Sequence, residues 1–139
     1  MPYGAPAAFA EQVAVVRAIY DGFVRRDLDA ILPLIADGCE FLPIGTAQAL
    51  GRTEPYVGHA GVREYFADAA RVWEEFSLHA HDIRAAGSGV VVFGHVRGRT
   101  GGQSVRRRVV WIWQVAGGKA VSMRVSDIGE LEPQPDEQS

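Results

Sequence analysis

Three consecutive arginines stand directly before a Trp-x-Trp motif in the stretch VRRRVVWIWQVAGGK, residues 105–119. A guanidinium group can hold a carboxylate, an enolate or a phenolate through two parallel hydrogen bonds. Indole rings can enclose a flat apolar ligand, or they can fill the core of a protein. The chemistry of this stretch therefore depends on which side of the backbone each arginine and each tryptophan occupies.

The glycine pair Gly101-Gly102 predicts this distribution, because it suits the two central positions of a tight β-hairpin. In that register Val96 lies opposite Arg107, and side chains alternate between two faces. One face carries valine, glycine and tryptophan, with Arg107 alone at its open end. Arg107 could bind an anionic ligand there, extend to solvent, or pair with Asp127 or Glu40. The members of this inner face on the second strand are Arg107, Val109, Trp111 and Trp113.

The same register places like charges opposite one another on the outer face. Arg106 faces Arg97 and Arg108 faces His95, which is destabilising unless something neutralises the charges. We expect this face to meet acidic side chains of this chain or of a second copy, or else to point into water. A three-residue turn would exchange the two faces, so the hairpin register tests the whole assignment.

An enzyme with a pocket on the tryptophan face would need a titratable group inside that pocket. Asp127 is the best carboxylate, although it could equally cap a turn at the end of its strand. It continues the face formed by Val121, Met123 and Val125. His59 precedes the third predicted helix, where it could act as an acid or base or could cap the start of the helix.

Tyrosines could supply further contacts to a ligand. Tyr20 lies on the buried stripe of the first predicted helix and could present its hydroxyl group to a ligand, or could simply belong to the core. Tyr56 and Tyr65 could form the mouth and the wall of a pocket. His79 and His81 share one face of a strand, but no cysteine or carboxylate completes a ligand set, so we expect no metal site. No motif indicates a cofactor.

The elements that must position these residues follow from the spacing of apolar side chains. A stripe at Phe9, Val13, Val16, Tyr20 and Phe23 predicts a first helix over residues 9–25. Asp27 is predicted to cap a short second helix, which Pro33 shortens or kinks and Gly38 ends. The stretch CEFLP reads as a short strand. The following residues 45–61 are predicted to form a long irregular connection.

A third helix is predicted over residues 61–76, and after it the apolar period changes from 3.6 to 2. Strands are predicted at 77–86, 89–100, 103–116 and 119–127, with glycine pairs at the turns. Helices followed by an antiparallel meander indicate an α+β fold, with the helices on one face of a curved sheet. We expect one domain over residues 9–130, a flexible N-terminus at 1–8 and a mobile acidic tail at 131–139.

The composition narrows the classes of function. The 139 residues carry a net charge of −3, so nucleic acid is not an expected partner. No run of apolar residues is long enough for a membrane helix, and the N-terminus lacks the pattern of a signal peptide. The single cysteine, Cys39, suits a reducing compartment and is expected to be a small buried apolar residue. We therefore expect a cytoplasmic protein without a membrane partner.

Four segments, taken in order, resemble the SnoaL-like proteins of the nuclear transport factor 2-like superfamily. They are YDGFVRRDLDAILPLIADGCEFLP, YVGHAGVREYFADAARVW, VVVFGHVRGR and RVVWIWQVAGGKAVSMRVSD. This superfamily also holds ketosteroid isomerases and limonene-type epoxide hydrolases. The resemblance covers about residues 9–130. It implies a cone-shaped domain with three N-terminal helices on a curved, mostly antiparallel sheet, often dimeric, with an apolar cavity at the wide end.

The catalytic residues of those enzymes do not carry over to this chain. The position of the isomerase base holds Leu42 or Pro43, and the position of its second aspartate holds Val110 or Trp111. The hydrolase positions hold Gly94, Val96 and Val125. Fold similarity without the catalytic set does not establish the activity.

Two main hypotheses follow. The first is a domain that binds an apolar small molecule, with expected contacts at Tyr20, Leu42, Tyr56, Tyr65, Arg107, Val109, Trp111, Trp113 and Met123. The second is an isomerase, polyketide-type cyclase or hydrolase in which Asp127 or His59 moves a proton. A third reading is a solid cone that acts only through its outer sheet face. We expect a homodimer through that outer face in either main case.

Overall fold

The computed structural model describes residues 6–87 and 89–130 of the chain. The helices are α1 (Pro6–Arg25), α2 (Leu28–Ile31), α3 (Ile44–Leu50) and α4 (Gly58–Val72), and a 3-10 turn covers Leu32–Leu34. The strands are β1 (Ile35–Phe41), β2 (Tyr56–Val57), β3 (Glu75–Ala86), β4 (Gly89–Thr100), β5 (Gln103–Ala116) and β6 (Lys119–Glu130). The predicted α+β class is confirmed.

The six strands form one sheet in the order β2-β1-β6-β5-β4-β3. Every neighbouring pair is antiparallel except β1 and β6, which run parallel. The four longest strands follow one another as a meander, as the glycine-separated segments predict. The helices cover the inner face of this sheet and close the core against it.

The β4–β5 hairpin has the predicted register. Gly101 and Gly102 both have positive φ angles, 58° and 77°, as the two central residues of a type I′ turn require. Arg107 pairs with Val96, and the pairs Val92–Trp111 and Val90–Trp113 follow. Strand alternation therefore turns both indole rings toward the helices.

The region after α1 agrees with the prediction only in part. Asp27 caps α2, because its side chain accepts a hydrogen bond from the backbone N–H of Ala30 at 3.2 Å. Pro33 shortens the helix into a 3-10 turn. Gly38 was predicted to end this helix, and that prediction is wrong, since β1 already begins at Ile35. Extended backbone from this point buries Ile35 and Cys39 on one face of the strand.

The predicted irregular connection over residues 45–61 is also wrong, because it contains α3, β2 and the start of α4. Helix α3 ends at Gly51, which has the left-handed φ angle of 67° that a C-terminal helix cap commonly needs. Residues 6–87 and 89–130 thus contain four α-helices instead of the three predicted. Helix α4 also lies three to four residues earlier than predicted, and Phe76 belongs to β3.

Strand β6 differs from the prediction in two respects. It continues to Glu130, and the register with β5 shifts between Gln114 and Val115. Because of this shift, Val121 is exposed instead of sharing the buried face of Met123. Helix α1 begins at Pro6, inside the segment 1–8 that was expected to be flexible. Residues 1–5 and the predicted tail 131–139 lie outside the described residues.

The core lies between the inner face of the sheet and helices α1 and α4. Trp111 and Trp113 are 5% and 4% exposed, and Val16 and Ile19 of α1 are fully buried against this layer. Among residues 6–87 and 89–130, no helix is both long and apolar enough to cross a membrane.

Candidate functional site

A cavity of about 400 Å³ lies on the inner face of the sheet, between strands β1 and β3–β6 and helices α1, α3 and α4. The interior is therefore not filled solid by its own side chains. Most of the wall is apolar, and polar groups are confined to a few positions. Its lining includes Tyr20, Phe41, Pro43, Thr46, Tyr65, Trp73, Arg107, Val109, Trp111, Trp113, Met123, Val125 and Asp127.

Tyr20 and Trp113 form a buried polar contact in the cavity wall. The indole N–H of Trp113 donates a hydrogen bond to the Tyr20 hydroxyl oxygen at 3.0 Å. The Tyr20 ring also lies edge-on to Trp111 and Trp113, with centroid distances of 5.3 and 5.8 Å. Burial raises the pKa of Tyr20 well above its ordinary value, and the hydrogen bond from Trp113 offsets only part of this effect. Tyr20 is thus a neutral hydroxyl whose own hydrogen can be donated to a ligand oxygen.

Arg107 and Asp127 form a bidentate ion pair at the rim of the same cavity. The Nε and one Nη of Arg107 each donate to a different carboxylate oxygen of Asp127 at 2.8 Å. The backbone N–H of Gly129 donates to the same carboxylate at 2.9 Å. The hydrogen bond from Arg107 is the largest cause that lowers the pKa of Asp127, and the pair raises the pKa of Arg107. Of the alternatives for Arg107, the pairing with Asp127 is the one observed.

Helix α3 forms a wall of the cavity that the sequence did not indicate. The indole N–H of Trp73 donates to the Thr46 hydroxyl at 2.9 Å, which ties α3 to the end of α4. Tyr65 lines the cavity beside them. Its pKa is raised chiefly by burial, while a hydrogen bond from Thr46 acts in the opposite direction. Thr46 is 2% exposed. Because it stands in a segment predicted as a loop, the sequence pattern did not indicate its contact with Trp73.

Tyr56 is buried behind the cavity and does not line it. Its ring stacks on Phe41 with a centroid distance of 5.4 Å and meets Tyr65 edge-on at 5.7 Å. Its hydroxyl donates to Asp68 at 2.8 Å. Burial and this contact with Asp68 raise the pKa of Tyr56 to about 12. Tyr56 therefore supports the wall through Phe41 and Tyr65.

His59 and Leu42 were also predicted at the site, and neither is among the described residues that line the cavity. The His59 Nε2 atom lies 2.7 Å from the carbonyl oxygen of Ile35, so it joins the first turn of α4 to β1. Leu42 lies between Phe41 and Pro43, which do line the cavity. An extended chain turns alternate side chains to opposite sides, which directs Leu42 away.

The outer face of the sheet carries the predicted cationic pairs. Arg106 lies opposite Arg97, and Arg108 lies opposite His95. The rings of His79 and His81 both stack against the ring of His95, with centroid distances of 4.5 and 4.7 Å. The described residues contain no group of three or more histidine, cysteine or acidic side chains suited to a metal ion.

A comparison with family models identifies the chain. The model described as the SnoaL-like domain matches residues 16–123. The chain belongs to the SnoaL-like family. The matched residues include α1 from Val16 onward, Trp111 and Trp113 on β5, and β6 as far as Met123. No curated protein matches the chain.

Solved structures with the same fold agree with this assignment. TerC, co-crystallised with polyporic acid, is 28% identical with a TM-score of 0.73, and the match covers 84% of this chain and 91% of TerC. A nuclear-transport-factor-2-like protein of unknown function from Burkholderia pseudomallei is 24% identical with a TM-score of 0.74, over 84% and 90% of the two chains. A protein from Jannaschia described as a SnoaL-like polyketide cyclase is 15% identical with a TM-score of 0.71, over 92% of each chain. The last two show the fold alone.

Proposed function

We propose that this SnoaL-like protein binds an apolar, ring-containing small molecule that carries an acidic or carbonyl oxygen. The observation that carries the proposal is a cavity of about 400 Å³ with two indoles in its wall. This volume lies within the usual range for sites that hold small organic molecules, about 300–1,000 Å³. The face of a flat apolar ring makes no strong hydrogen bonds to water. Such a ring can therefore stack against Trp111 and Trp113 without leaving a hydrogen bond unsatisfied.

Two polar positions in the cavity select the oxygen of such a ligand. The Tyr20 hydroxyl accepts from Trp113, so its own hydrogen points to a ligand carbonyl or phenolate oxygen as acceptor. At the rim, the Arg107 guanidinium is already held in a bidentate arrangement by Asp127. An acidic ligand oxygen can share or replace one of these two bonds at little reorganisation cost.

One relative supports this class of ligand. TerC is 28% identical over most of both chains, and it was co-crystallised with polyporic acid. That compound is therefore the first probe for the present protein. The similarity supports a cavity ligand with an acidic group and does not identify the natural one.

The test is a titration with polyporic acid followed by quenching of tryptophan fluorescence. We expect saturable quenching, because Trp111 and Trp113 line the cavity. Val125→Phe narrows the cavity and should weaken binding at least tenfold. Val121→Phe, an exposed position four residues earlier on β6, should leave binding unchanged. Equal affinity of both variants for polyporic acid, or no saturable quenching of the native protein by polyporic acid, would contradict the proposal.

A second candidate function is an acid/base enzyme, and the position of Asp127 in the cavity lining favours it. Because Arg107 lowers the pKa of Asp127, this carboxylate is ionised at neutral pH and could only accept a proton from an acidic substrate carbon. Asp127→Asn separates the two candidates. It should abolish turnover of a cyclic substrate in an enzyme, whereas a binding protein should keep its ligand.

We also propose that the outer sheet face joins two copies of the chain. Phe93 is 41% exposed at the centre of this face, next to the apolar Val91, Val110 and Ile112. Phe93→Asp should convert the dimer into a monomer by light scattering after size-exclusion chromatography. A native monomer, or a dimer that is unaffected by this substitution, would contradict the proposal.

A further inference from the structure

A second, smaller cavity of about 190 Å³ lies between the end of α1, helix α4 and the first half of β3. Phenylalanine and tyrosine contribute four of the ten residues that line it, Phe23, Tyr65, Phe66 and Phe76. Phe23, Tyr65, Phe76 and Leu78 line both this cavity and the larger one. Phe66 and Ala69 line the smaller cavity and not the larger one, so the two cavities adjoin and share part of their wall.

At the edge of this cavity the chain turns at Arg26, whose backbone conformation is unusual for a residue other than glycine. Arg26 has a φ angle of 58°. Within residues 6–87 and 89–130, it is the one residue other than glycine with a left-handed backbone. Its N–H bonds to the carbonyl of Phe23 at 3.1 Å, and the N–H of Asp27 bonds to the carbonyl of Gly22 at 2.9 Å. This pair of bonds defines a Schellman cap, in which the left-handed position is usually glycine. An arginine there costs conformational free energy that glycine would avoid, which indicates a use for its side chain.

The side chain of Arg26 reaches the cavity. One Nη atom donates to the carbonyl oxygen of Phe76 at 2.8 Å, and Arg26 is part of the cavity wall. The guanidinium group has five N–H donors in a planar fork, so this single bond uses only one of them. Its positive charge also acts on the Tyr65 hydroxyl, whose pKa it lowers against the larger effect of burial.

We propose that the smaller cavity is a second binding site, which takes a single-ring aromatic carboxylate. The ring enters among Phe23, Phe66 and Phe76, and the carboxylate pairs with the Arg26 guanidinium at the mouth. A dry apolar cavity of about 150 Å³ is known to hold benzene, so about 190 Å³ is sufficient for one ring. This proposal does not depend on the identity of the ligand proposed for the larger cavity.

The test is a titration of the native protein with benzoate, followed by amide and side-chain NMR. Benzoate should perturb resonances of Phe66, Ala69 and Ser77, and it should leave the indole N–H signals of Trp111 and Trp113 unchanged. Toluene, which has the ring without the charge, should bind at the same place but more weakly.

Substitutions distinguish this site from a purely structural role of Arg26. Arg26→Gly suits the left-handed backbone and removes the guanidinium, so it should weaken benzoate at least tenfold and leave toluene unaffected. Arg26→Asn, which also tolerates this backbone, serves if the glycine variant does not fold. Ala69→Leu fills the cavity and should abolish binding of both probes. Arg124→Gln, at an exposed position of β6, is the matched control for the loss of one positive charge.

Three outcomes would overturn the proposal. The first is no benzoate binding at millimolar concentration. The second is equal benzoate affinity in the native protein and the Arg26 variants. The third is perturbation confined to the indole-lined cavity, which would place benzoate in the larger site instead.

Discussion

The indole of Trp113 on β5 and the hydroxyl of Tyr20 on α1 are joined by a buried hydrogen bond of 3.0 Å across 93 residues of sequence. The bond connects the middle of the sheet to the helix that covers it. It also satisfies the only donor of an indole ring that is 4% exposed. The same pair therefore contributes to stability and to the polarity of the cavity.

Tyr20→Phe should destabilise the protein by about 1–3 kcal/mol, because it leaves the Trp113 N–H buried without an acceptor. Urea unfolding followed by circular dichroism measures this change. The double variant with Trp113→Phe removes donor and acceptor together, so its cost should be smaller than the sum of the two single costs. Additive costs would show that the hydrogen bond contributes nothing of its own.

Asp127→Asn should reduce stability at neutral pH, and the difference from the native protein should disappear in acid. Arg107 lowers the folded-state pKa of Asp127 below its ordinary value of 3.8. The stabilisation is therefore present above the unfolded pKa and is lost as the pH falls through the folded pKa. Urea unfolding midpoints between about pH 7 and about pH 2 measure it. The exposed Glu54→Gln is the control, and a constant difference across this range would contradict the prediction.

Gly94→Ala should cost about 1–3 kcal/mol, because an added Cβ would overlap the His79 carbonyl and approach the Trp111 ring to 2.9 Å. Gly38→Ala, also in a strand, meets no atom within 4 Å and should change stability by less than about 0.5 kcal/mol. Thermal unfolding of the two variants makes the comparison. Similar melting temperatures would show that Trp111 and the β3 backbone can move aside.

Cys39 should resist thiol reagents in the native protein and react after unfolding. Its side chain is 1% exposed, and burial, with a smaller contribution from Glu40, raises its pKa to about 11. At pH 8 only about one thiol in a thousand is then ionised, and the thiolate is the reactive form. Labelling with a disulfide reagent, with and without urea, checks this. Rapid labelling without urea would contradict the burial of β1.

The fold was predictable wherever local chemistry was decisive. Period-2 alternation and the Gly101-Gly102 turn were enough to place the indoles on the inner face and Arg106 and Arg108 on the outer one. Asp27 was likewise recognisable as a helix cap from residue type and position. Helix α3 was not predictable, since its seven residues depend on Thr46 meeting Trp73, which lies 27 residues away.

The same distinction between local pattern and tertiary packing applies to the candidate site. From the sequence alone came the aromatic inner face, the lone Arg107 at its end, and Asp127 and Tyr20 as candidates for polar chemistry. Only the tertiary structure decided that Arg107 pairs with Asp127 and that Tyr56, Leu42 and His59 lie away from the cavity. Strand and turn preferences act over a few residues and can be read along the chain. Cavity volume and side-chain pairing depend on how elements that are far apart in the sequence pack together, and no local pattern of residues specifies that packing.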